Sequence, residues 1–524
     1  MLFEIYINKE DIMKKLFYMA GFVLAATFTS CDDFLTVSSP DQLTTGNFWR
    51  DVEDVEATMA SVYAQLYHGD EYATSEVRWP VEEYRADLFN LGNDAINYQT
   101  WTDIYNFTYT NGNTQFSYYY QDLYRGINFA NQIIEYCPKV PAEKISETKR
   151  NELMAEAHFM RGYYHLMLLL NWEKIIIRDQ YVNDEGLLEK PLSSRTACWD
   201  FVIEELKAGT AMPSQRDTQT LGRATKGTAN AYLGFAYLTR AYEEPAKESE
   251  YLTASLNALN AVQGYSLVSG EALVDMFNGH NKNCAESLFE VQYSMNMDGG
   301  AFYASCVQWW MAPAELEGWD EILPNDKLVA EFMKEGKTSL SGGYDERMYN
   351  TLFFQDEYWN SGEHLIYESW IYDDVFKDKN GVAYNRPAFR KFTAKTYDEA
   401  YNDYCDFNIP LMRYANVMLM KAEVLNKQGH PEQAIPLINE IRKVHGNMPP
   451  MTGTTQAEVQ AQIEHERILE FPLESYRFYD LRRWGKLAEA LQGRGYVAGQ
   501  HDFFPIPLWE VNANRNLNNE AEAE

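Results

Sequence analysis

Between Ala415 and Lys443 the chain carries small residues at intervals that suit two helices packed close together. Ala422, Gly429 and Ala434 hold the small positions, and Leu425, Ile438 and Ile441 fill the apolar ones. Small side chains let antiparallel helices approach, and Gly429 suits the turn that joins them. Gly234, Tyr237, Ala254, Ala258 and Ala261 repeat the pattern in degenerate form, with a longer turn around Pro245. A lone helical hairpin leaves one apolar face that a neighbouring hairpin has to cover. One such unit therefore implies several, three or four in this chain.

Further helices follow from apolar periodicity. Asn47 to Tyr67 places Phe48, Val52, Val55, Met59, Val62 and Leu66 at three- and four-residue steps. Glu152 to Trp172 is stronger, with Leu153, Ala157, Met160, Tyr164 and Met167 on one stripe. Trp199 to Leu206 predicts a short helix, and Ala224 to Tyr242 one rich in small residues. From 264 to 407 the helical period fades and Gly, Asn, Asp, Tyr and Trp dominate. Short apolar runs such as Ser287 to Tyr293 there predict isolated strands. The expected fold is all-α: a tetratricopeptide-like helical scaffold (about 45–263 and 408–524) carrying a large irregular lobe (about 264–407). Loops held by a rigid frame are where binding residues tend to lie.

The formal charge of −32 excludes nucleic acid as a partner, because phosphate contacts depend on Lys and Arg. Tyrosine outnumbers phenylalanine, 37 to 27, beside 12 tryptophans. A core alone would favour Phe, since a tyrosine hydroxyl needs a polar partner or water. Some of these rings are therefore expected on an exposed or ligand-facing surface. Cys137, Cys198, Cys284, Cys306 and Cys405 include no CxxC pair, and no HExxH occurs, so neither zinc nor a full disulfide framework is indicated. His158 and His165 share a helix face but have no third ligand in sequence. No metal or cofactor is expected.

Upstream of this body, Lys14 and Lys15 precede an apolar run from Leu16 to Phe28. The run is shorter than the roughly 20 residues a membrane-spanning helix needs, and it has the pattern of a secretory signal. Phe28-Thr29-Ser30-Cys31 resembles a bacterial lipoprotein cleavage box. Residues 1–30 are then a signal peptide, Cys31 is the lipidation site, and 31–524 is one soluble domain tethered to a membrane. Asp32 and Asp33 resemble the export signal of surface lipoproteins in the Bacteroidota.

Near the C-terminus, Glu466, Glu470 and Glu474 stand four apart among Arg467, Arg477, Arg482 and Arg483. A general acid needs a carboxyl with a raised pKa, and surrounding arginines lower it. The block is expected to be a structural salt-bridge network in which these arginines supply the partners. With this block in place the chain resembles the SusD/RagB family of surface nutrient-binding lipoproteins. The resemblance also rests on Thr45-Gly-Asn-Phe-Trp49, Ala155 to Tyr164, Gly222 to Gly227, Arg413-Tyr-Ala415, Ala422-Glu423, Asn439 to Arg442, Phe504-Pro-Ile-Pro507 and Asn514. These occur in family order from Cys31 to beyond residue 510.

The resemblance implies a non-catalytic outer-membrane lipoprotein, exposed on the cell surface. It would bind oligosaccharide and deliver it to a SusC-like TonB-dependent transporter. Sugar faces stack on aromatic rings while their hydroxyls seek Asn, Asp and Arg. Two segments fit that chemistry: Arg78, Trp79 and Trp101, and Tyr303, Trp309, Trp310 and Trp319. Of the consecutive Trp309 and Trp310, at most one can stack on a ligand. Oligopeptide binding, a tetratricopeptide-type scaffold without small ligand, and glycoside hydrolysis by a carboxylate pair are the competing functions.

Overall fold

Polar caps decide where the helices begin. In the computed structural model, which describes residues 48–67, 78–296, 303–402 and 404–518, α1 (Val52–Ala64) starts after Asp51, whose carboxylate accepts from the Asp54 amide. Its onset at residue 52 rather than 47 follows from that cap. Next come α2 (Arg78–Glu83), α3 (Gln99–Asn106) and α4 (Thr114–Tyr136), the last capped by Asn113. The hydroxyl of Ser146 caps α5 (Glu147–Asn171) and starts it five residues before the expected onset at Glu152. Ser194 does the same for α6 (Arg195–Gly209), doubling the expected short helix, and Thr225 forms a capping box with Thr228 on α7 (Lys226–Glu243). The frame continues with α8 (Glu248–Asn260), α9 (Val307–Met311), α10 (Tyr414–Lys427), α11 (Pro431–Val444), α12 (Gln456–Glu470) and α13 (Arg477–Arg483).

Three hairpins form the scaffold: α5 with α6, α7 with α8, and α10 with α11. Residue 429 has φ of 87°, a left-handed conformation that suits glycine. Ala422 and Ala434 are fully buried where α10 meets α11, and Val459 and Ile463 of α12 complete that core. Gly234 lets α7 approach α8: a Cβ there would lie 2.5 Å from the Leu259 side chain. The Ser255 hydroxyl donates to the Gly234 carbonyl at 2.7 Å across the same contact. Helix α5 is central. Every residue from Phe159 to Asn171 is buried, as befits a helix packed by α1, α4, α6 and α7 on its different sides. Helix takes 52% and strand 6%, so the fold is all-α. The chain divides into two compact units, 1–50 and 51–524, and all the described helices and strands belong to the second. Cys31 and the preceding leader lie outside the described residues.

The strands are not isolated, because their backbone groups need partners. They pair antiparallel in three two-stranded sheets among the described residues. β1 (Phe89–Leu91) pairs with β3 (Ile322–Pro324), β2 (Ser287–Val291) with β6 (Ile409–Arg413), and β4 (Leu352–Phe353) with β5 (Ala388–Phe389). The β2–β6 ladder brings Glu286 beside Arg413, the residue before α10.

The glutamate block forms an ion-pair network, but its partners differ from those expected. Arg413 donates to Glu286 (2.6 Å), Glu470 (2.9 Å) and Glu474 (2.7 Å), and Glu474 also takes Lys391 (2.5 Å). Arg442 and Arg347 hold Glu466 at 2.7 and 2.6 Å. Of the expected arginines, Arg467 pairs with Asp480, Arg477 with Asp87 and Arg483 with Glu423. Arg482 takes backbone carbonyls. Four-residue spacing on α12 sets Glu466 and Glu470 on one face, and Glu474 follows just past the helix end; all three meet basic groups from other parts of the chain rather than the arginines of their own segment.

Candidate functional site

A short ladder joins the two tryptophan-rich segments. Leu91 faces Ile322 and Phe89 faces Pro324 in the β1–β3 register, so residues 79–101 and 309–319 meet although some two hundred residues separate them. Three of the candidate rings are then consumed in the contact. Trp79, Trp101 and Trp310 are 6%, 5% and 3% exposed. The Trp79 ring lies 5.5 Å from Trp101 and 5.4 Å from Trp310, with Tyr84 at 5.2 Å. The Tyr84 hydroxyl donates to the Glu321 carbonyl at 2.7 Å. These indoles anchor the floor of the site and present no free face. Arg78 is the first residue of α2, and its side chain lies outside the description.

The remaining rings face outward. On the single helical turn of α9 consecutive residues point apart, so Trp310 is buried while Trp309 is half-buried. The Trp309 indole N–H donates to the Asn402 carbonyl at 2.7 Å. Trp319 is 36% exposed and stands edge-on to Trp309, centroids 5.3 Å apart at 71°. A tight return of the chain sets this pair: Gly318 donates to the Pro313 carbonyl, Trp319 to Trp309, and Asp320 to Ala312. Glu317 takes a left-handed conformation, φ 62°, to make the turn. Tyr303 is exposed and lies 6.1 Å from the Tyr67 ring.

Composition pointed to exposed aromatics beyond these, but spacing did not single them out. Tyr397, Tyr401 and Tyr404 are all exposed and flank Asn402, which accepts from Gln308 as well as from Trp309. A groove of about 350 Å³ beside them is lined by His280, Met295, Gln308, Glu399, Asn402 and Tyr404. Their signal in the sequence was the cluster of tyrosines between 397 and 404 itself.

Polar groups frame the indole pair. The Arg386 guanidinium bridges Glu315 and Asp320, Tyr384 donates to Glu315 at 2.6 Å, and Asn93 donates to Asp320 at 2.7 Å. Burial pushes the Glu321 carboxyl up to about 8, with Asp94 and Asp320 adding to the shift. At 1% exposure that acid is buried.

Two groups combine histidine and glutamate at ligand-like spacing, Glu286/His445/Glu470 and Glu335/His465/Glu466. In the first, burial alone would lower the His445 pKa, but Glu470 and Glu286 outweigh it and hold it up at about 10. Both ring nitrogens contact a carboxylate, at 3.0 and 3.1 Å. A doubly protonated ring has no lone pair for a metal. In the second, His465 lies between Glu331 (2.6 Å) and Glu335 (3.1 Å), and Arg442 bridges Glu335 and Glu466. His158 and His165 go separate ways: His158 meets Glu205 at 2.9 Å, and His165 bonds the Arg161 carbonyl at 2.8 Å. All five cysteines in the described residues are free.

Comparison with known proteins agrees with this architecture. A family model described as the SusD family matches residues 285–522, and one described as starch-binding, associating with the outer membrane, matches 33–238. SusD-like protein P38 of Formosa agariphila is 23% identical over 509 residues, covering 92% of this chain and 93% of that protein. A SusD superfamily protein of Bacteroides vulgatus superposes with a TM-score of 0.75 at 25% identity, covering 90% of this chain and 98% of that one. A laminarin-binding SusD-like protein has the same fold, with a TM-score of 0.68 at 21% identity, covering 89% of this chain and 98% of that one. With most of its length matched by these two models, the chain belongs to the SusD/RagB family of glycan-binding, outer-membrane-associated proteins.

Proposed function

We propose that this protein is a non-catalytic surface lipoprotein that captures oligosaccharide on the Trp309–Trp319 face and passes it to a SusC-like TonB-dependent transporter. The observation that carries the reading is the edge-on pair of partly exposed indoles, Trp309 and Trp319. Two flat faces at an angle suit a curved or helical glucan, whose successive rings turn relative to one another, and the apolar faces of the sugars stack on the indoles. Tyr303, Tyr401 and Tyr404 extend the stacking surface, and Asn402, Glu399 and His280 offer hydrogen-bonding groups to sugar hydroxyls. The laminarin-binding relative supports a glucan as ligand class. Acylation at Cys31 would hold the domain at the outer membrane beside its transporter.

Calorimetry of the mature chain against laminarihexaose, maltohexaose and a set of oligopeptides tests the capture step. Saturable heat with a hexasaccharide supports it; heat with peptides alone assigns the protein to a peptide-binding role. Affinity capture from native outer membranes tests delivery, with one large β-barrel protein as the expected companion. Recovery of several soluble proteins and no barrel would contradict it.

A further inference from the structure

Beside the aromatic face the irregular lobe holds a cavity of about 250 Å³. Asn278 contributes to the wall of this cavity and of the groove next to Asn402. Tyr367 contributes to it and to the small cleft at Trp309 and Gly318. The cavity thus borders the face at two places, as a side pocket does.

Its walls carry both signs of charge, and some of these ions are already matched. Lys395 contacts Glu271 at 2.9 Å and Asp275 at 3.1 Å, and Lys391 holds Glu474 at 2.5 Å. Other polar groups are unused. Arg390 is half-buried, donates through Nη1 to the Tyr349 carbonyl at 3.1 Å, and lies 5.2 Å from the Trp359 ring centre. Its Nε and Nη2 have no partner among the described residues and are not sealed from solvent. The half-buried Asn350 amide is unpaired in the same way. Glu363 and Glu368 are exposed, and their carboxylates make no hydrogen bond or ion pair among the described residues.

The backbone sets Glu368 in place by an uncommon turn. Tyr367 and Glu368 are both left-handed, φ 52° and 53°, in a return that pairs Ile366 with Trp370. Such conformations are rare outside glycine and cluster where ligands are held. An aromatic column stands nearby. Tyr358 lies between Tyr349, centroids 4.2 Å apart, and His364, at 3.7 Å and 6°. The exposed imidazole of His364 ends the column.

Unused groups of opposite sign do not select an ion: an anion meets Glu363 and Glu368, and a cation meets Arg390. A sugar hydroxyl suits both kinds, because it donates to a carboxylate and accepts from a guanidinium or an amide. A sugar ring also has an apolar face to lay on an imidazole. The volume lies just below the usual range for small-ligand pockets, which fits one ring and not a chain. On the basis of glycan capture at the Trp309–Trp319 face, we infer that this cavity is a branch pocket, taking one neutral hexose unit that leaves the captured chain.

Calorimetry on the mature chain compares laminarihexaose with the same chain carrying one β-1,6-linked glucosyl branch, and maltohexaose with its α-1,6-glucosyl counterpart. Within the pair that binds, the branched sugar is expected to bind about tenfold or more tightly. Arg390→Gln is expected to remove that preference. Because Arg390 also holds the Tyr349 carbonyl, a second variant guards the conclusion. Asn350→Ala/Glu368→Asn removes two side chains that hold nothing in place, and asparagine tolerates the left-handed conformation at 368. It is expected to keep the linear affinity and the melting temperature and to lose most of the branch preference. Equal affinity of wild type for linear and branched sugar, or a preference that survives in both variants, would overturn the branch pocket and leave glycan capture standing. Absence of heat with every one of these sugars would overturn capture and the pocket together. Loss of linear affinity in Asn350→Ala/Glu368→Asn would overturn the branch assignment in favour of a chain end.

Discussion

The amide of Trp319 donates to the carbonyl of Trp309 at 2.6 Å, and the two indoles stand edge-on with centroids 5.3 Å apart. The angle between the stacking faces is therefore fixed by backbone, through the turn that begins at Ala312. Gly318 is the residue that allows it, since a Cβ there would overlap the Ala312 carbonyl oxygen. Gly318→Ala is expected to displace the turn and weaken hexasaccharide binding by about tenfold or more, while the helical scaffold keeps its far-ultraviolet circular dichroism. Unchanged affinity would mean that the angle does not matter to binding.

Exposure separates the tryptophans into two kinds. Trp79→Ala removes a ring buried against three other aromatics and is expected to cost about 3–5 kcal/mol of stability. Trp319→Ala removes a ring that is one-third exposed, so stability should change by less than about 1 kcal/mol while glycan affinity falls. Denaturant unfolding alongside calorimetry distinguishes the two. A Trp319→Ala protein that unfolds as readily as Trp79→Ala would make Trp319 a structural residue.

Much of the scaffold was legible because helical period and small-residue spacing act locally. Gly429 and Ala422 announced the α10–α11 hairpin from residues within a few turns of one another. The ion-pair partners were not legible: Glu470 meets Arg413 and His445 through packing of distant segments, whereas sequence proximity suggested Arg467 and Arg477. The site was legible in part. Residue type selected both tryptophan-rich segments, yet burial of Trp79, Trp101 and Trp310 depends on the β1–β3 ladder, a long-range pairing with no local signature. Tyr397, Tyr401 and Tyr404 were missed for the same reason, since only the fold brings their turn to Trp309.

Stability should fall as pH rises above neutrality, and His445 is one cause. Its folded pKa of about 10 exceeds the ordinary 6.5. Between those values the folded state keeps a proton that the unfolded chain has lost, so stability decreases with pH. The carboxylates around it act the other way. Burial would raise Glu470 and Glu286, but His445 and Arg413 outweigh it and hold both below 4.5, so their contribution is lost in acid. The network is then strongest between about pH 5 and pH 6.5. Chemical denaturation of wild type and His445→Gln tests this. The stability gap is expected to be wide near pH 6 and to shrink toward pH 10; a gap independent of pH would contradict the imidazolium.

The α7–α8 contact yields a packing test. Gly234→Ala forces a Cβ to within 2.5 Å of Leu259, and overpacking of this kind costs about 1–3 kcal/mol. Leu259→Ala in the same chain should relieve the clash, so the double variant should be more stable than the sum of the single losses. Simple additivity would show that the helices move apart freely at Gly234.

The most direct test of glycan capture is calorimetric titration of laminarihexaose and maltohexaose into wild type and the Trp309→Ala/Trp319→Ala double variant. Saturable binding by wild type to at least one of the two sugars, abolished in a double variant with unchanged thermal unfolding, is the expected outcome. Binding that survives loss of both indoles would place the glycan elsewhere on the molecule and remove the basis for the proposed function.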